Sequence, residues 1–358
     1  MSGGVDSAVA AARLRDDGYD VVGVTLHLWD YPEGEGAGTH GRCCAPEDQY
    51  DARRTADALG FPHYTFDRRA LFAEKVVAPF VDAYLAGETP SPCATCNRGV
   101  KLRELFALAD RLGARHVATG HYARVLRGPG DAVFLGQGRD LSKDQSYFLY
   151  ATPEAELARL IFPVGDSTKA EVRAEAVARD LPGATKGESQ ELCFVGTKAH
   201  AYAEFVEARA EGRARPGPIV DAEGRVVGQH AGVHHFTVGQ RKGLRVAGAS
   251  PVYVTRLDAA SGEVHLGAAD TLFSRAATVD AAVLAPGVSL PAHVRVRVRY
   301  RHEGAAAEIV PSTTGGRDLV VNVRFDEPVR AVTRGQVAVF YEGERVVGGG
   351  TIAATSAT

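Results

Sequence analysis

The stretch Ser2-Gly3-Gly4-Val5-Asp6-Ser7, running into Ala8–Arg15, decides how the rest of this 358-residue chain is read. Its two glycines permit positive φ and leave the backbone bare, so several N–H groups can face one concavity. The apolar spacing that follows predicts a helix, whose first turn adds free donors and partial positive charge. Ser2 and Ser7 bring hydroxyls, and Asp6 brings a carboxylate able to hold a metal ion or cap the helix. Such a turn suits a polyphosphate. It is not a Walker A loop, because no Gly-Lys-Ser/Thr follows. A capped turn without a ligand is the plainer alternative.

Outward from the loop, Val21–Leu28 is a nearly continuous apolar run, as in a buried parallel strand. Glu47–Leu59 has helical spacing, Pro62–Asp67 reads as a second strand, and Leu71–Ala86 reads as an amphipathic helix stopped by Gly87 and Pro90. A helix over Lys101–Leu112 and a strand over His116–Thr119 lead to Gly120-His121-Tyr122. Thr168-x-x-Glu171 is a capping box opening a helix over Ala170–Arg179. Alternating strands and helices predict an α/β domain with a doubly wound parallel sheet. In such folds a buried strand leads into the ligand loop. Here Met1 leads directly into it, so the first strand is expected upstream of this start.

Composition bounds the rest. Hydrophobic residues make 45% and charged residues 24% of the chain, ordinary values for a globular protein with ample core. A net charge of −3 gives no global pull toward nucleic acid, so any RNA contact must use local basic patches. No long apolar run predicts a membrane span. Five cysteines in so large a chain point to a reducing, cytoplasmic setting with functional thiols. After about residue 212 helical periodicity gives way to valine-rich strands between glycine turns, as in Gly217–Val220, Val252–Leu257, Glu263–Leu266, Val294–Tyr300, Leu319–Phe325 and Gln336–Tyr341. The expected division is a catalytic domain over 1–212, a small β domain over 213–275 and a C-terminal β-barrel over 276–358. Arg295, Arg297, Arg299 and Arg301 alternate, which would set them on one strand face.

Cys93 and Cys96 lie in Thr89-Pro-Ser-Pro-Cys-Ala-Thr-Cys-Asn97, an extended loop before a helix expected from about Asn97. A thiolate at a helix N-terminus is stabilised and nucleophilic. Cys193 lies in Glu188-Ser-Gln-Glu-Leu-Cys-Phe-Val-Gly196. The readings left open are half a zinc site, a thioredoxin-like dithiol, a remote Cys96/Cys193 pair acting as nucleophile and sulfur carrier, and inert buried thiols. Lys143 and Gln145 suit phosphate or a base edge, while Ser142 or Asp144 would equally serve as a helix cap. Trp29 is read as packing. His234-His235 have no metal-ligand partner set in the sequence, and one buried histidine is expected there. Cys43-Cys44 near His40 stay unassigned.

SGGVDS resembles the pyrophosphate loop of the PP-loop ATP pyrophosphatases. Together with Cys43-Cys44…Asp48-x-x-Asp51-Ala-Arg-Arg54, TPSPCATCN, ATGHY, LSKDQSYFLY, ESQELCFVG, HHFTVGQRKGL and FDEPVRAVTRGQVAVFY, in this order, the chain resembles the tRNA-specific 2-thiouridylase family over nearly its whole length. That resemblance implies ATP and Mg²⁺ as cofactors, with Ser2, Gly3, Gly4, Val5, Asp6 and Ser7 on the pyrophosphate and Leu26 and Gly120 lining the adenosine side. It implies Ser91, Pro92 and Cys93 beside the target base, position 93 often being Asp in the family. It implies tRNA contacts from His121, Lys143, Asp144, Gln145, Arg299, Tyr300 and Gln336. Cys96 would be the nucleophile and Cys193 the persulfide carrier, the two closing a redox disulfide. The implied partners are tRNA and a persulfide donor protein, a cysteine desulfurase or relay, acting on a monomer without a membrane. Two alternatives accompany this reading. One is a [4Fe–4S] cluster on Cys93, Cys96 and Cys193, and the other a non-catalytic tRNA-binding protein.

Overall fold

The computed structural model describes residues 1–30, 46–187, 192–195, 201–244, 246, 251–313 and 318–357. His40, Cys43-Cys44 and the Glu188–Glu191 half of the Cys193 motif lie outside the described residues. The chain forms two compact units, one of Met1–Val76, Cys93–Val195 and Glu344–Val346, the other of Val77–Pro92, Gly196–Gly343 and Val347–Thr358.

In the first unit the loop opens the helix Val5–Asp16. Its face of small residues, Ala8, Val9 and Ala12, is buried with Val172 and Ala176 of the helix Lys169–Ala178. Small side chains let the two helices approach closely, and Arg13 fastens them, with its Nε 3.1 Å from the Glu175 carboxylate and its Nη1 donating to Pro163 O at 2.7 Å. The capping box forms as the spacing predicts: Glu171 N donates to Thr168 Oγ1 at 3.2 Å and Thr168 N to Glu171 Oε2 at 2.7 Å.

Strands β1 (Gly23–His27) and β2 (His63–Asp67) pair in parallel in the expected segments. A second parallel ladder joins β3 (Val117–Ala118) to β6 (Leu160–Ile161). The parallel α/β organisation is therefore present, but the described strands make two short ladders and not one wide sheet. The Met1 amino group donates to Val24 O, so the residue before the loop already lies alongside β1. The antiparallel hairpin β4 (Ala123–Arg127) and β5 (Val133–Gln137) was not expected. Every residue of β5 is buried, so it lacks the polar alternation that would have marked it.

Two helix expectations are corrected. Leu71–Ala86 is not one α-helix. It begins at Arg69, widens into a π-turn over Ala73–Val77 and resumes over Ala78–Leu85. Pro79 near the start of the resumed helix has no N–H to return to the preceding turn, which accounts for the widening. The cysteine helix starts at Pro92 and not at Asn97, since Pro at the first helical position is already preorganised. Cys93 and Cys96 are thus inside a short helix, Pro92–Cys96, followed by a π-turn over Asn97–Lys101.

The second unit carries the β-rich half. β7 (Gly217–Val220), β8 (Val226–His230), β9 (Tyr253–Asp258) and β10 (Glu263–Gly267) form a sheet of order β8-β7-β10-β9. Ile219, Val233, Phe236, Val254 and Val264 fill its core. The last six strands are β11 (Phe273–Leu284), β12 (Ala292–Arg297), β13 (Ala305–Pro311), β14 (Val321–Arg330), β15 (Val337–Glu342) and β16 (Arg345–Ala357). Their order is β11-β14-β13-β12-β15-β16, and β16 pairs back onto β11 to close a barrel. Each of these six strands thereby has a paired neighbour on both sides. Val279, Val296, Ile309, Val323 and Phe340 are buried inside it.

The expected arginine face is also corrected. β12 ends at Arg297, and only Arg299 and Arg301 beyond it are exposed. Arg297, 7% exposed, donates to His302 O at 2.9 Å and also to Tyr300 O, and Arg295 donates to Glu303 O at 2.6 Å. Arg295 and Arg297 hold the turn that presents Arg299 and Tyr300.

Candidate active site

The loop has the conformation its glycines allow. Gly3 has φ +70°, and a Cβ there would sit 2.0 Å from the Asp48 carbonyl oxygen, so the position admits no side chain. Gly4 is the extended residue preceding the helix. Ser7 Oγ donates to Gly4 O at 2.9 Å and accepts from Ser2 N at 3.2 Å, which closes the turn on itself. Gly120 abuts the start of the helix: a Cβ there would lie 2.8 Å from Ser7 N. The structure thus brings together two segments that are more than a hundred residues apart in the chain and were assigned to one nucleotide.

Asp6 does not cap its helix. Its carboxylate accepts from Lys169 Nζ at 2.7 and 2.8 Å and from the buried Tyr122 hydroxyl at 2.7 Å. Neither partner was singled out in the sequence; the only local signal was Tyr122 ending the ATGHY string. On the other side of the loop, Lys186 Nζ lies 2.9 Å from Asp48 Oδ1 and also pairs with Asp51. Burial pushes the Asp48 carboxyl up, with Lys186 opposing. Burial works against the Lys186 ammonium, yet Asp51 and Asp48 hold it above the ordinary lysine range. One ammonium thus faces two carboxylates at Asp48 and Asp51, and Lys169 is paired with Asp6, so both lysines near the loop are already engaged by acidic side chains.

The ATGHY and LSKDQSYFLY segments are bound to each other. Gln145 N donates to Tyr122 O at 2.8 Å, and Gln145 Oε1 accepts from Tyr122 N at 3.0 Å. Asp144, expected at the RNA surface, is 1% exposed and turned inward, accepting from Gln137 Nε2, Gly138 N and Ser146 N at 3.0, 3.2 and 3.0 Å. It does not cap the helix Ser146–Leu149, whose N-cap residue is Gln145 and which has no side-chain cap; it ties the preceding turn together. Lys143 beside it is half-buried. His121 accepts or donates at Nδ1 toward Thr119 Oγ1 at 2.8 Å. Burial, and after it the charge of Lys101, pushes the His121 imidazolium down to about 3, so the ring is neutral near pH 7. Leu26 sits within β1, in register with Phe66 of β2.

Among the thiols, Cys93 is exposed, Cys96 is buried and Cys193 is half-buried. Cys96 and Asn97 end the short helix where it widens into the π-turn, a distortion frequent at functional sites. Asn97 Nδ2 donates to Phe148 O at 3.4 Å, joining the cysteine helix to the LSKDQSYFLY segment. Cys193 lies in the turn Leu192–Val195, anchored by Phe194, whose ring meets Phe72 at 5.5 Å and Trp29 at 6.1 Å. Trp29 is packing, as expected. In the second unit, Gln336 Nε2 donates to Thr89 O at 2.9 Å, and Thr89 N donates to Arg334 O at 2.9 Å. The barrel loop thereby holds the backbone leading to Ser91 and Pro92. Arg299 is exposed and Tyr300 half-buried at the end of β12.

Three family models match in sequence: the "tRNA methyl transferase HUP domain" over residues 1–197, the "tRNA methyl transferase PRC-barrel domain" over 203–268 and the "Aminomethyltransferase beta-barrel domain" over 279–352. Fold and site thus define a HUP-domain protein with a PRC-barrel and a β-barrel appended. A tRNA-specific 2-thiouridylase MnmA of Sorangium cellulosum is 62% identical over 99% of this chain and 91% of its own length. Proteins of the same name from Solibacter usitatus and Moorella thermoacetica are 47% and 45% identical over 98% of this chain, covering 97% and 98% of their own lengths. The chain belongs to the tRNA-specific 2-thiouridylase MnmA family. Among solved structures, an NMN synthetase from Francisella tularensis is similar only at 16% identity and a TM-score of 0.30, over 60% of this chain and 84% of its own.

Proposed function

We propose that this chain thiolates C2 of the wobble uridine in tRNA, using ATP to activate the C2 oxygen and a persulfide on Cys193 as the sulfur source. The observation that carries the reading is the loop, closed over Gly3 and abutted by Gly120, in a chain 62% identical to a protein named for that reaction. The "methyl transferase" wording of two family models has no counterpart in the site, where a phosphate-shaped loop is the built feature.

The uracil C2 oxygen is a poor leaving group. Its attack on the α-phosphate of ATP makes it an adenylate and expels pyrophosphate. The loop N–H groups and the helix N-terminus stabilise charge on the departing phosphates. Mg²⁺ enters mainly on those phosphates and needs few protein ligands; Asp6, held by Lys169 and Tyr122, serves as an anchor of the loop. The terminal persulfide sulfur on Cys193 then attacks C2, and AMP leaves with the oxygen. The Cys96 thiolate attacks Cys193 Sγ, breaks the S–S bond and leaves sulfur on the base. The product is a Cys96–Cys193 disulfide, oxidised by two electrons, which an external thiol must reduce. The target base must be unstacked to reach the site.

In this reading Ser91, Pro92 and Cys93 border the base, and Lys143, His121, Arg299, Tyr300 and Gln336 face the tRNA. Asp144 acts by holding the turn beside Lys143. The division into 1–212, 213–275 and 276–358 belongs to the same proposal, as do a persulfide donor protein, a monomer and a cytoplasmic setting. Among the described residues no helix is long and apolar enough to cross a membrane. The test separates the half-reactions. With tRNA and Mg-ATP, Cys193→Ser should still release pyrophosphate yet make no 2-thiouridine, whereas Gly3→Ala should do neither. Equal thiolation by Cys193→Ser, or iron-dependent colour and activity in the purified protein, would overturn the persulfide route.

A further inference from the structure

A second cluster of chemistry-bearing residues belongs wholly to the second unit. Glu207 ends the helix Ala201–Glu207, and His234 and His235 share the 3₁₀ turn Val233–His235. Each can offer one ligand atom such that all three atoms lie within 4.8 Å of one another. His234 Nε2 is 3.9 Å and His235 Nε2 3.4 Å from Glu207 Oε2. A tetrahedral ion with bonds of about 2.0–2.2 Å sets its ligand atoms roughly 3.3–3.6 Å apart, so small side-chain adjustments suffice.

The second observation concerns hydrogen bonding. His234 is 1% exposed, yet among the described residues neither of its ring nitrogens has a hydrogen-bond partner, and the buried His235 Nε2 likewise makes no hydrogen bond. Buried polar atoms without partners are costly and call for an explanation. The ring position is itself built: a Cβ at Gly232 would come within 2.4 Å of His234 Cε1, so only glycine leaves room for this rotamer. The two ligand-bearing elements are also locked together. Tyr202, on the Glu207 helix, donates its hydroxyl to His235 O at 3.2 Å and stacks on Tyr84 at 5.1 Å. The sequence alone could not show the set, because Glu207 lies on a helix well upstream of the histidine pair.

We propose that Glu207, His234 and His235 form a binding site for a divalent transition-metal ion of the Zn²⁺ class, with solvent at the fourth position. Two imidazoles and one carboxylate suit such an ion and not the oxygen-only preference of Mg²⁺. The bound ion fastens the helix Ala201–Glu207 to the turn preceding Phe236 in the β7–β10 domain, remote in role from ATP chemistry.

The test uses the full chain stripped with a chelator and titrated with Zn²⁺ or Co²⁺. The parent should bind one more ion than Glu207→Gln or His235→Gln, each weakening that site by about 10–100-fold, the scale that even outer-shell partners of a metal carry. Zn²⁺ should raise the melting temperature of the parent and not of the variants. Co²⁺ at this site should show visible ligand-field bands without thiolate charge-transfer absorption. Glu207 is exposed, so the metal-free variant should melt as the metal-free parent does, which separates loss of binding from loss of fold. Equal binding by parent and both variants, or thiolate absorption from every bound Co²⁺, would place the ion on cysteines and overturn the proposal, as would no binding by the parent.

Discussion

His121 shows how a single residue's surroundings change its chemistry. An exposed histidine in an RNA-facing loop would carry a proton through part of the physiological range. Burial, seconded by Lys101, holds this one neutral down to about 3. The unfolded chain binds that proton near pH 6.5, so stability attributable to His121 is complete above pH 6.5 and is lost as pH falls toward 3. The urea midpoint should therefore fall as pH drops below about 6.5, and His121→Gln should flatten that slope; an unchanged slope contradicts the assignment. Asp144 is the second residue-scale case. Asp144→Ala strands three inward donors, at a cost of roughly 2–4 kcal/mol, whereas a side chain reaching into solvent would cost almost nothing to remove. Chemical denaturation decides between them.

At the scale of elements, the capping box is the clearest agreement between pattern and structure. Thr168→Ala should cost about 1 kcal/mol, read as a lower denaturation midpoint with an unchanged slope. The loop, β1, β2 and three of the six barrel strands, β12, β14 and β15, were legible for the same reason: each rests on a local period or on turn chemistry that the surrounding fold does not override. What escaped was decided by distant contacts. β5 is buried at every position and so carries no alternation, and the 71–86 helix breaks around Pro79 although its apolar spacing runs on. The strand from Val294 was expected to reach Tyr300, but Arg295 and Arg297 turn back onto the carbonyls of Glu303, His302 and Tyr300 and end it. Of the proposed site, the sequence strings pointed to the loop and the cysteines. They could not show that Asp6 is held by Lys169 and Tyr122, because those partners are remote in sequence, nor that Asp144 faces inward, because its partners are mostly backbone N–H groups, whose direction the residue pattern does not encode.

Over the whole molecule, a net charge of −3 means that tRNA affinity cannot come from bulk attraction. In the proposed reading exposed cations such as Arg299 supply it locally. Arg299→Ala should weaken tRNA binding to a similar extent for different tRNAs and reduce the salt slope by about 1; an unchanged slope would remove Arg299 from the interface. In the proposed reaction the Gly3-Gly4 loop, the buried Cys96 and the half-buried Cys193 act together, and one measurement bears on all three. Nucleoside mass spectrometry of tRNA incubated with the protein, Mg-ATP and a persulfide source should find 2-thiouridine with the parent chain and none with Cys193→Ser or Cys96→Ser. Thiolated uridine made equally well by either variant, or none made by the parent in the presence of all three reactants, would contradict it.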